Sequence, residues 1–464
     1  MPVPPTDFAP LVELGKAHVP AGLGRIREHI LVKGEGAKVW DEEGKEFLDF
    51  TTGIGVVNLG HCHPAVTSAV VAQAQQITHV QCSISFSLPY LQLVKSLIPI
   101  MPHPSLDTFF LWNSGSEAVE FAIKLVRTAS KRQNIITMIG GYHGRTFGAS
   151  GITRSKPIYT QHSGTTMQGV YAVPFPYWHA LGVPPSTSEE DLVKQAIYQL
   201  EFLFKTQTAA DDVAAIFIEP LIGEGGYVPA PPAYLRALRS ICDKHGIMLV
   251  LDEVQTGFGR TGTMFNCEQT EGLKPDVMIF AKGIANGFPL SGVVSRKEIM
   301  DKMEPGSIGG TYAGNAVSCA AGVAVAEVFR TTPVLENVNA RSKQLLSALR
   351  ALQTSPKTSH LIADVRGKGL MVAIEFRDDA DALTMEGVAA GTKVPKKIGK
   401  RVQEYCLEKG VMILTTSCFD TIRFIPPLIV SEEEMAHAMS VFREAVEFIA
   451  RDGDIEPAPI GGTD

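Results

Sequence analysis

Between about residues 105 and 295, short apolar runs alternate with longer stretches of helical period, and few folds accommodate that pattern. Thr108-Phe109-Phe110-Leu111-Trp112 reads as a buried strand. Ala118, Phe121, Ala122, Leu125, Val126 and Ala129 follow at helical spacing. Residues 135–139 form a second apolar run, and the helical stretch 189–206 leads into a third at 214–218. Pro231-Pro232 opens a helix over 231–245 that Gly246 closes, since proline favours helix starts and glycine suits their ends. Further apolar runs end near Asp252, near Lys282 and at Ser295. Continuous apolar strands between helices predict a mostly parallel sheet covered on both faces.

At 464 residues the chain is long for one core. From about residue 326 its texture changes. A helical stretch at 333–352 precedes alternating strands near 362–376, 411–415 and 421–425, and a helix over 431–450. Residues 35–50 read as two short strands around Asp41-Glu42-Glu43-Gly44. The expected architecture is therefore α/β, with a large domain over 60–325 and a smaller α+β domain built from both chain ends, 1–59 and 326–464. The polar stretch 378–397 reads as a surface insertion.

In an open α/β sheet, ligands sit at the carboxyl ends of the strands. Two segments each deliver an ionisable residue there: Val250-Leu251-Asp252-Glu253-Val254-Gln255-Thr256-Gly257 and Ile279-Phe280-Ala281-Lys282-Gly283. A structural ion pair would account for either residue alone. A lysine can also hold an aldehyde cofactor as a Schiff base, while an acid keeps that cofactor's pyridine nitrogen protonated. Other clusters fall on the same edge. Asn113-Ser114-Gly115-Ser116-Glu117 stands between a strand and a helix, where free amides accept a phosphate or where a serine simply caps the helix. Gly140-Gly141-Tyr142-His143-Gly144-Arg145-Thr146 offers an aromatic for stacking and an arginine for a carboxylate. Glu219-Pro220-Leu221-Ile222-Gly223-Glu224-Gly225-Gly226 is a glycine-rich acidic loop. Thr311 in Gly309-Gly310-Thr311-Tyr312 is a further phosphate donor candidate. Arg423 lies inside an apolar strand and needs an anionic partner, either Glu224 or a substrate carboxylate.

Net charge is −7, from 42 basic and 49 acidic residues, so there is no electrostatic case for nucleic acid or an anionic membrane. No apolar run approaches the ~20 residues of a membrane span. The first twenty residues hold five prolines and no continuous apolar stretch, and no arginine precedes Arg25. Neither a secretory signal nor a mitochondrial transit peptide fits, and the expectation is a cytoplasmic protein. The seven cysteines never fall as C-x-x-C, so no metal cluster is expected and buried free thiols are the expected state. Gly53-Ile54-Gly55-Val56-Val57-Asn58 lacks the third glycine of a dinucleotide fingerprint.

Taken together, Gly60-His61-Cys62-His63-Pro64, Ser114-Gly115-Ser116-Glu117-Ala118, Tyr142-His143-Gly144-Arg145-Thr146, Glu219-Pro220 with Gly223-Glu224-Gly225-Gly226, Asp252-Glu253-Val254-Gln255-Thr256-Gly257 with Gly259-Arg260-Thr261-Gly262, Ala281-Lys282, Gly309-Gly310-Thr311-Tyr312-Ala313-Gly314-Asn315 and Arg423 stand in family order. From about residue 25 to 450 the chain resembles the class III, pyridoxal-phosphate-dependent aminotransferases of fold type I, and among them the 4-aminobutyrate (ω-amino acid) aminotransferases. The resemblance implies pyridoxal 5'-phosphate as cofactor, Lys282 as Schiff-base lysine and proton shuttle, and Asp252 as partner of the pyridine nitrogen. It implies Gln255 at the ring's phenolic oxygen, Val254 and Tyr142 on the ring faces, and Ser114, Gly115 and Ser116 at the phosphate. His143 and Glu219 join the cofactor set, and Thr311 reaches the phosphate of the neighbouring subunit. The assembly implied is a homodimer, or a dimer of dimers, with shared sites. Ile54, Arg145, Glu224 and Arg423 match the substrate-recognising positions.

The reaction implied moves an amino group from an ω-amino acid, 4-aminobutyrate first, to 2-oxoglutarate by a ping-pong route. Gln81-Cys82-Ser83-Ile84-Ser85-Phe86, segment 176–190 and the 378–397 insertion depart from the family pattern. They leave ornithine, acetylornithine, β-alanine and 5-aminovalerate open as donors. A racemase or decarboxylating aminotransferase of the same fold is the rival reaction.

Overall fold

The six expected strands and one that the sequence reading did not anticipate, Val170–Val173, assemble into one seven-stranded sheet. The computed structural model describes residues 8–164, 166–377 and 397–452. The large sheet contains, in chain order, β1 (Thr108–Trp112), β2 (Asn134–Met138), β3 (Val170–Val173), β4 (Val213–Ile218), β5 (Met248–Asp252), β6 (Val277–Phe280) and β7 (Ser291–Ser295). Their spatial order is β1-β7-β6-β5-β4-β2-β3. Strand β5 is parallel to β4 and β6, and β2 is parallel to β3 and β4. Strand β7 alone is reversed, running antiparallel to both β6 and β1. The other six strands all point one way, so their carboxyl ends share one edge.

Burial explains why these strands read as continuous apolar runs. Every residue of β4, β6 and β7 is buried. Successive side chains leave opposite faces, so each strand feeds two cores. Ala215 and Phe217 of β4 join Ala118, Phe121 and Leu125 on one face. Ile216 and Ile218 join Leu200, Tyr234 and Leu238 on the other. The covering helices include Gly115–Ser130, Glu189–Thr206 and Pro232–His245. The last ends on Gly246 in the left-handed region, as its sequence predicts.

A second sheet is antiparallel, in the order Ile362–Lys368, Met371–Phe376, Thr421–Phe424, Leu414–Thr416. Helices Val334–Thr354, Ile398–Glu408 and Glu432–Asp452 pack around it. Near the N-terminus there are three strands rather than two: Leu31–Glu35, Lys38–Asp41 and Glu46–Asp49. The first is mostly exposed, so it carries no alternation to find. Val411–Met412 pairs with the third of these strands, joining the two chain ends in one sheet. The backbone then crosses toward the cleft. Ile425 N–H donates to Phe50 O at 3.1 Å, and Thr52 Oγ1 donates to Ile425 O at 2.8 Å.

The expectation of buried thiols changes. Cys242, Cys267, Cys319 and Cys406 are buried, but Cys62 and Cys418 are exposed, because loop position outweighs local hydrophobicity there. Apart from Lys397, the 378–397 stretch lies outside the described residues. No described helix is long and apolar enough to cross a membrane.

Candidate active site

Five of the six co-directed strands deliver the candidate residues from their carboxyl ends. Strand β1 leads into Ser114-Gly115-Ser116 at the start of helix Gly115–Ser130. Ser114 is spent on that helix: its Oγ accepts from Glu117 N–H at 3.3 Å, and its own N–H donates to Glu117 Oε2 at 2.9 Å, a reciprocal cap. The amides of Gly115 and Ser116 have no intrahelical acceptor and stand at the positive end of the helix dipole. Ser116 Oγ accepts the Arg145 amide at 3.4 Å. A methyl group on Gly115 would lie 3.2 Å from Val254 Cγ1 and 3.8 Å from Ala281 Cβ. Three separate loops, those of Ser114–Ser116, Asp252–Gln255 and Lys282, therefore close on one point.

Asp252 ends β5 and is 3% exposed. Its Oδ1 accepts the Val254 amide at 3.0 Å, and its Oδ2 faces His143 Nδ1 at 2.7 Å. Burial alone would lower the His143 pKa, but the Asp252 carboxylate outweighs it and the imidazole is raised. Glu219, after β4, accepts the Tyr142 amide at 2.8 Å and the Gly223 amide at 3.0 Å. Burial raises its carboxyl, with the Asp252 charge adding to the effect. Asp252, His143 and Glu219 thus form a buried, fixed base to the cleft.

Lys282 follows β6 in a left-handed backbone conformation, φ 48°. For a non-glycine residue that geometry stores strain and is common where a side chain must be aimed. Among the described residues Lys282 and Asp252 make no direct ion pair, so a structural pair at the strand ends does not explain them. Burial lowers the Lys282 ammonium to about 8, and the charge of Arg423 pushes the same way against Glu219, Asp252 and Glu224. An amine whose pKa lies near physiological pH can both hold and release a proton, as a nucleophile and proton carrier must.

Arg423 lies on strand Thr421–Phe424 and is 5% exposed. Its Nη1 meets Glu224 Oε2 at 3.0 Å, the first of the two partners its sequence allowed. The other oxygen of Glu224 accepts Lys156 Nζ at 2.8 Å and Tyr159 OH at 2.9 Å. Burial would raise the Glu224 carboxyl, but Arg423 and Lys156 hold it at about 2. The Glu224 loop is tightly seated. A methyl on Gly225 would collide with the Gly140 carbonyl, and one on Gly223 with Gln255 Oε1. Arg366 donates twice to Gly226 O, at 2.7 and 3.0 Å.

Arg145 is exposed, with its guanidinium 4.5 Å from the centre of the Tyr159 ring and 5.9 Å from that of Tyr142. Gln255 Nε2 donates to Ile54 O at 3.5 Å, which ties the N-terminal segment to the cleft. Thr311 is exposed beside the likewise exposed Tyr312. Lys156, Tyr159 and Arg366 were not singled out in the sequence. They lie outside glycine-rich turns, and only the fold brings Lys156 and Tyr159 to Glu224 and Arg366 to the Gly226 carbonyl of the same loop.

The aminotransferase class-III family model matches residues 24–446. The chain belongs to the class III aminotransferases. It is 38% identical over 434 residues to the 4-aminobutyrate aminotransferase GabT of Escherichia coli, covering 92% of this chain and 96% of that one. It is 37% identical over 441 residues to the 5-aminovalerate aminotransferase DavT of Pseudomonas aeruginosa, covering 95% and 98%. A solved taurine:2-oxoglutarate aminotransferase from Bifidobacterium kashiwanohense, in complex with PLP and glutamate, superposes with a TM-score of 0.86 at 25% identity, covering 96% and 98%.

Members of this family depend on pyridoxal phosphate, and the residues present fit that group. The site offers a helix N-terminus for a dianionic phosphate, a buried carboxylate for a protonated pyridine nitrogen, and an amine of lowered pKa between them.

Proposed function

We propose that this aminotransferase takes the amino group of an ω-amino acid, 4-aminobutyrate first, and passes it to 2-oxoglutarate. The products are the semialdehyde and glutamate. The observation that carries this reading is the buried Glu224–Arg423 pair at 3.0 Å. An ω-amino acid has no carboxylate beside its reacting carbon, so an unpaired Arg423 would be a buried charge facing apolar substrate. Glu224 neutralises it. Glutamate brings its own α-carboxylate for Arg423, and Glu224 then gives way. Arg145 takes the distal carboxylate of both substrates. A racemase would have no use for such an exchange. 5-Aminovalerate, one methylene longer, is the second reading, supported by the similarity to DavT.

Bound pyridoxal phosphate supplies the electron sink that makes the C–H bond beside the substrate nitrogen acidic. The amides of Gly115 and Ser116 hold its phosphate, with Ser114 shaping the turn. Asp252, fixed by His143 and the Val254 amide, keeps positive charge at the pyridine nitrogen. Val254 and Tyr142 would flank the ring and Gln255 would serve its phenolic oxygen, while Glu219 braces the Tyr142 backbone. Lys282 would anchor the cofactor, and its Nζ, once free, would take and hold the proton released from the substrate carbon. The donor carbon is oxidised to an aldehyde, and the 2-oxo carbon is reduced as it accepts nitrogen and hydrogen.

We also infer a homodimer. Ile84, Phe86 and Tyr312 are 82%, 83% and 66% exposed. Their segments meet, since Cys82 Sγ contacts Ala313 O at 3.0 Å and the His79 and Tyr312 rings lie 5.6 Å apart. An exposed apolar patch of this kind suits a subunit interface, and Thr311 sits within it. A panel of 4-aminobutyrate, 5-aminovalerate, β-alanine, ornithine and acetylornithine against 2-oxoglutarate tests the assignment. The highest kcat/KM is expected for 4-aminobutyrate, with 5-aminovalerate next. A clear preference for ornithine or acetylornithine would overturn it.

A further inference from the structure

The carboxylate of Glu224 must go somewhere when it leaves Arg423. We propose that Lys156 and Tyr159 form its second seat, and that they thereby set how readily the site accepts a substrate with an α-carboxylate. The inference rests on the reading of Glu224 as the group that shields Arg423.

The geometry is that of a carboxylate held from two sides. Oε2 faces Arg423, while Oε1 already has Lys156 Nζ at 2.8 Å and Tyr159 OH at 2.9 Å. The Glu224 side chain is only 17% exposed. Without other partners, release from Arg423 would strand a buried negative charge, which is strongly unfavourable. With Lys156 and Tyr159 in place, release loses one charged contact and keeps two charge-assisted hydrogen bonds. A rotation about the side-chain bonds of Glu224 is then enough, and the loop itself can stay fixed by Gly225 and Arg366.

Position in the chain supports a dedicated arrangement. Lys156 and Tyr159 bracket the short turn Pro157–Tyr159 after helix Phe147–Ile152. The Tyr159 ring also touches Tyr142 edge-on, with centroids 5.3 Å apart, and lies under the Arg145 guanidinium at 4.5 Å. One side chain thus contacts the arginine assigned to the distal carboxylate and the glutamate that guards the other arginine. Lys156 and Tyr159 are positioning residues, because they act on substrate through Glu224.

The test uses holoenzyme and two unreactive ligands: glutarate, with two carboxylates, and butyrate, with one. Dissociation constants come from calorimetry, and half-reaction rates from single turnovers with glutamate and 4-aminobutyrate. Lys156→Met should weaken glutarate about tenfold and raise KM for 2-oxoglutarate similarly, while butyrate stays within about threefold. Tyr159→Phe should shift the same way by less, and Lys156→Arg should restore much of the loss. In a Glu224→Ala background, Lys156→Met should lose its selectivity between the two ligands. Equal weakening of both ligands by Lys156→Met, or a selective effect that persists without Glu224, would overturn the proposal. If Glu224→Ala alone shows no difference between the two half-reactions, the shielding role fails first, whatever Lys156 does.

Discussion

Removing Glu224 should split the two half-reactions. Its carboxyl is held at about 2 against an ordinary 4.5. At about 1.36 kcal/mol per unit, the surroundings favour its charged form by about 3 kcal/mol. Arg423 is the main favourable partner, and it is 5% exposed. In Glu224→Ala, binding 4-aminobutyrate would leave that guanidinium buried without an anion. If the about 3 kcal/mol appears in the transition state, the ω-amino acid half-reaction slows roughly a hundredfold. Glutamate supplies the missing anion, so its half-reaction should hold within a few fold or speed up. Stopped-flow absorbance of the cofactor, one donor at a time, reads both rates. Equal losses would refute the reasoning and leave Glu224 and Arg423 as a fixed structural pair. A stability signature accompanies the pair. A depressed carboxyl stabilises the fold above about pH 4.5, and that contribution fades as pH falls toward 2. Glu224→Ala should lack this segment of the acid-stability profile.

Lys282 gives a pH signature of the same sign, at alkaline pH, in the protein stripped of cofactor. Its folded pKa of about 8 lies below the ordinary 10.5, so the unfolded chain holds the extra proton between those values. The apoprotein should gain stability as pH rises through that window, and Lys282→Ala apoprotein should not; thermal melts from pH 7.5 to 10.5 decide it. Gly225→Ala forces a methyl against the Gly140 carbonyl. Activity with both donors should fall at least tenfold, and near-normal rates would show that the loop can move aside. Light scattering should find at least two chains per particle, and a fully active monomer would exclude shared sites.

The sheet was legible because its physics is local. Strands buried on both faces, such as β4 and β6, appear as unbroken apolar runs. The sharp ends of helices Gly115–Ser130 and Pro232–His245 are written in a capping serine and a left-handed glycine. Asp252 and Lys282 were legible for the same reason, as ionisable residues terminating apolar runs. What escaped depends on long-range geometry. His143 meets Asp252 across 109 residues, and Lys156 and Tyr159 meet Glu224 across 68 and 65. Strand Leu31–Glu35 pairs through its backbone while its side chains face solvent, so no hydrophobic period marks it. Ser114 shows two readings coexisting: its hydroxyl caps the helix, and the amides beside it remain for an anion.

The central claim is that Lys282 is the covalent anchor for pyridoxal phosphate. Holoenzyme treated with borohydride, digested and analysed by mass spectrometry tests it most directly. Loss of the visible absorption band and a reduced pyridoxyl group on the peptide carrying Lys282 are the expected result. In Lys282→Ala, cofactor should still bind through the phosphate amides but remain unattached, with turnover lower by orders of magnitude. A pyridoxyl group on any other lysine, or full activity in that variant, would contradict the account.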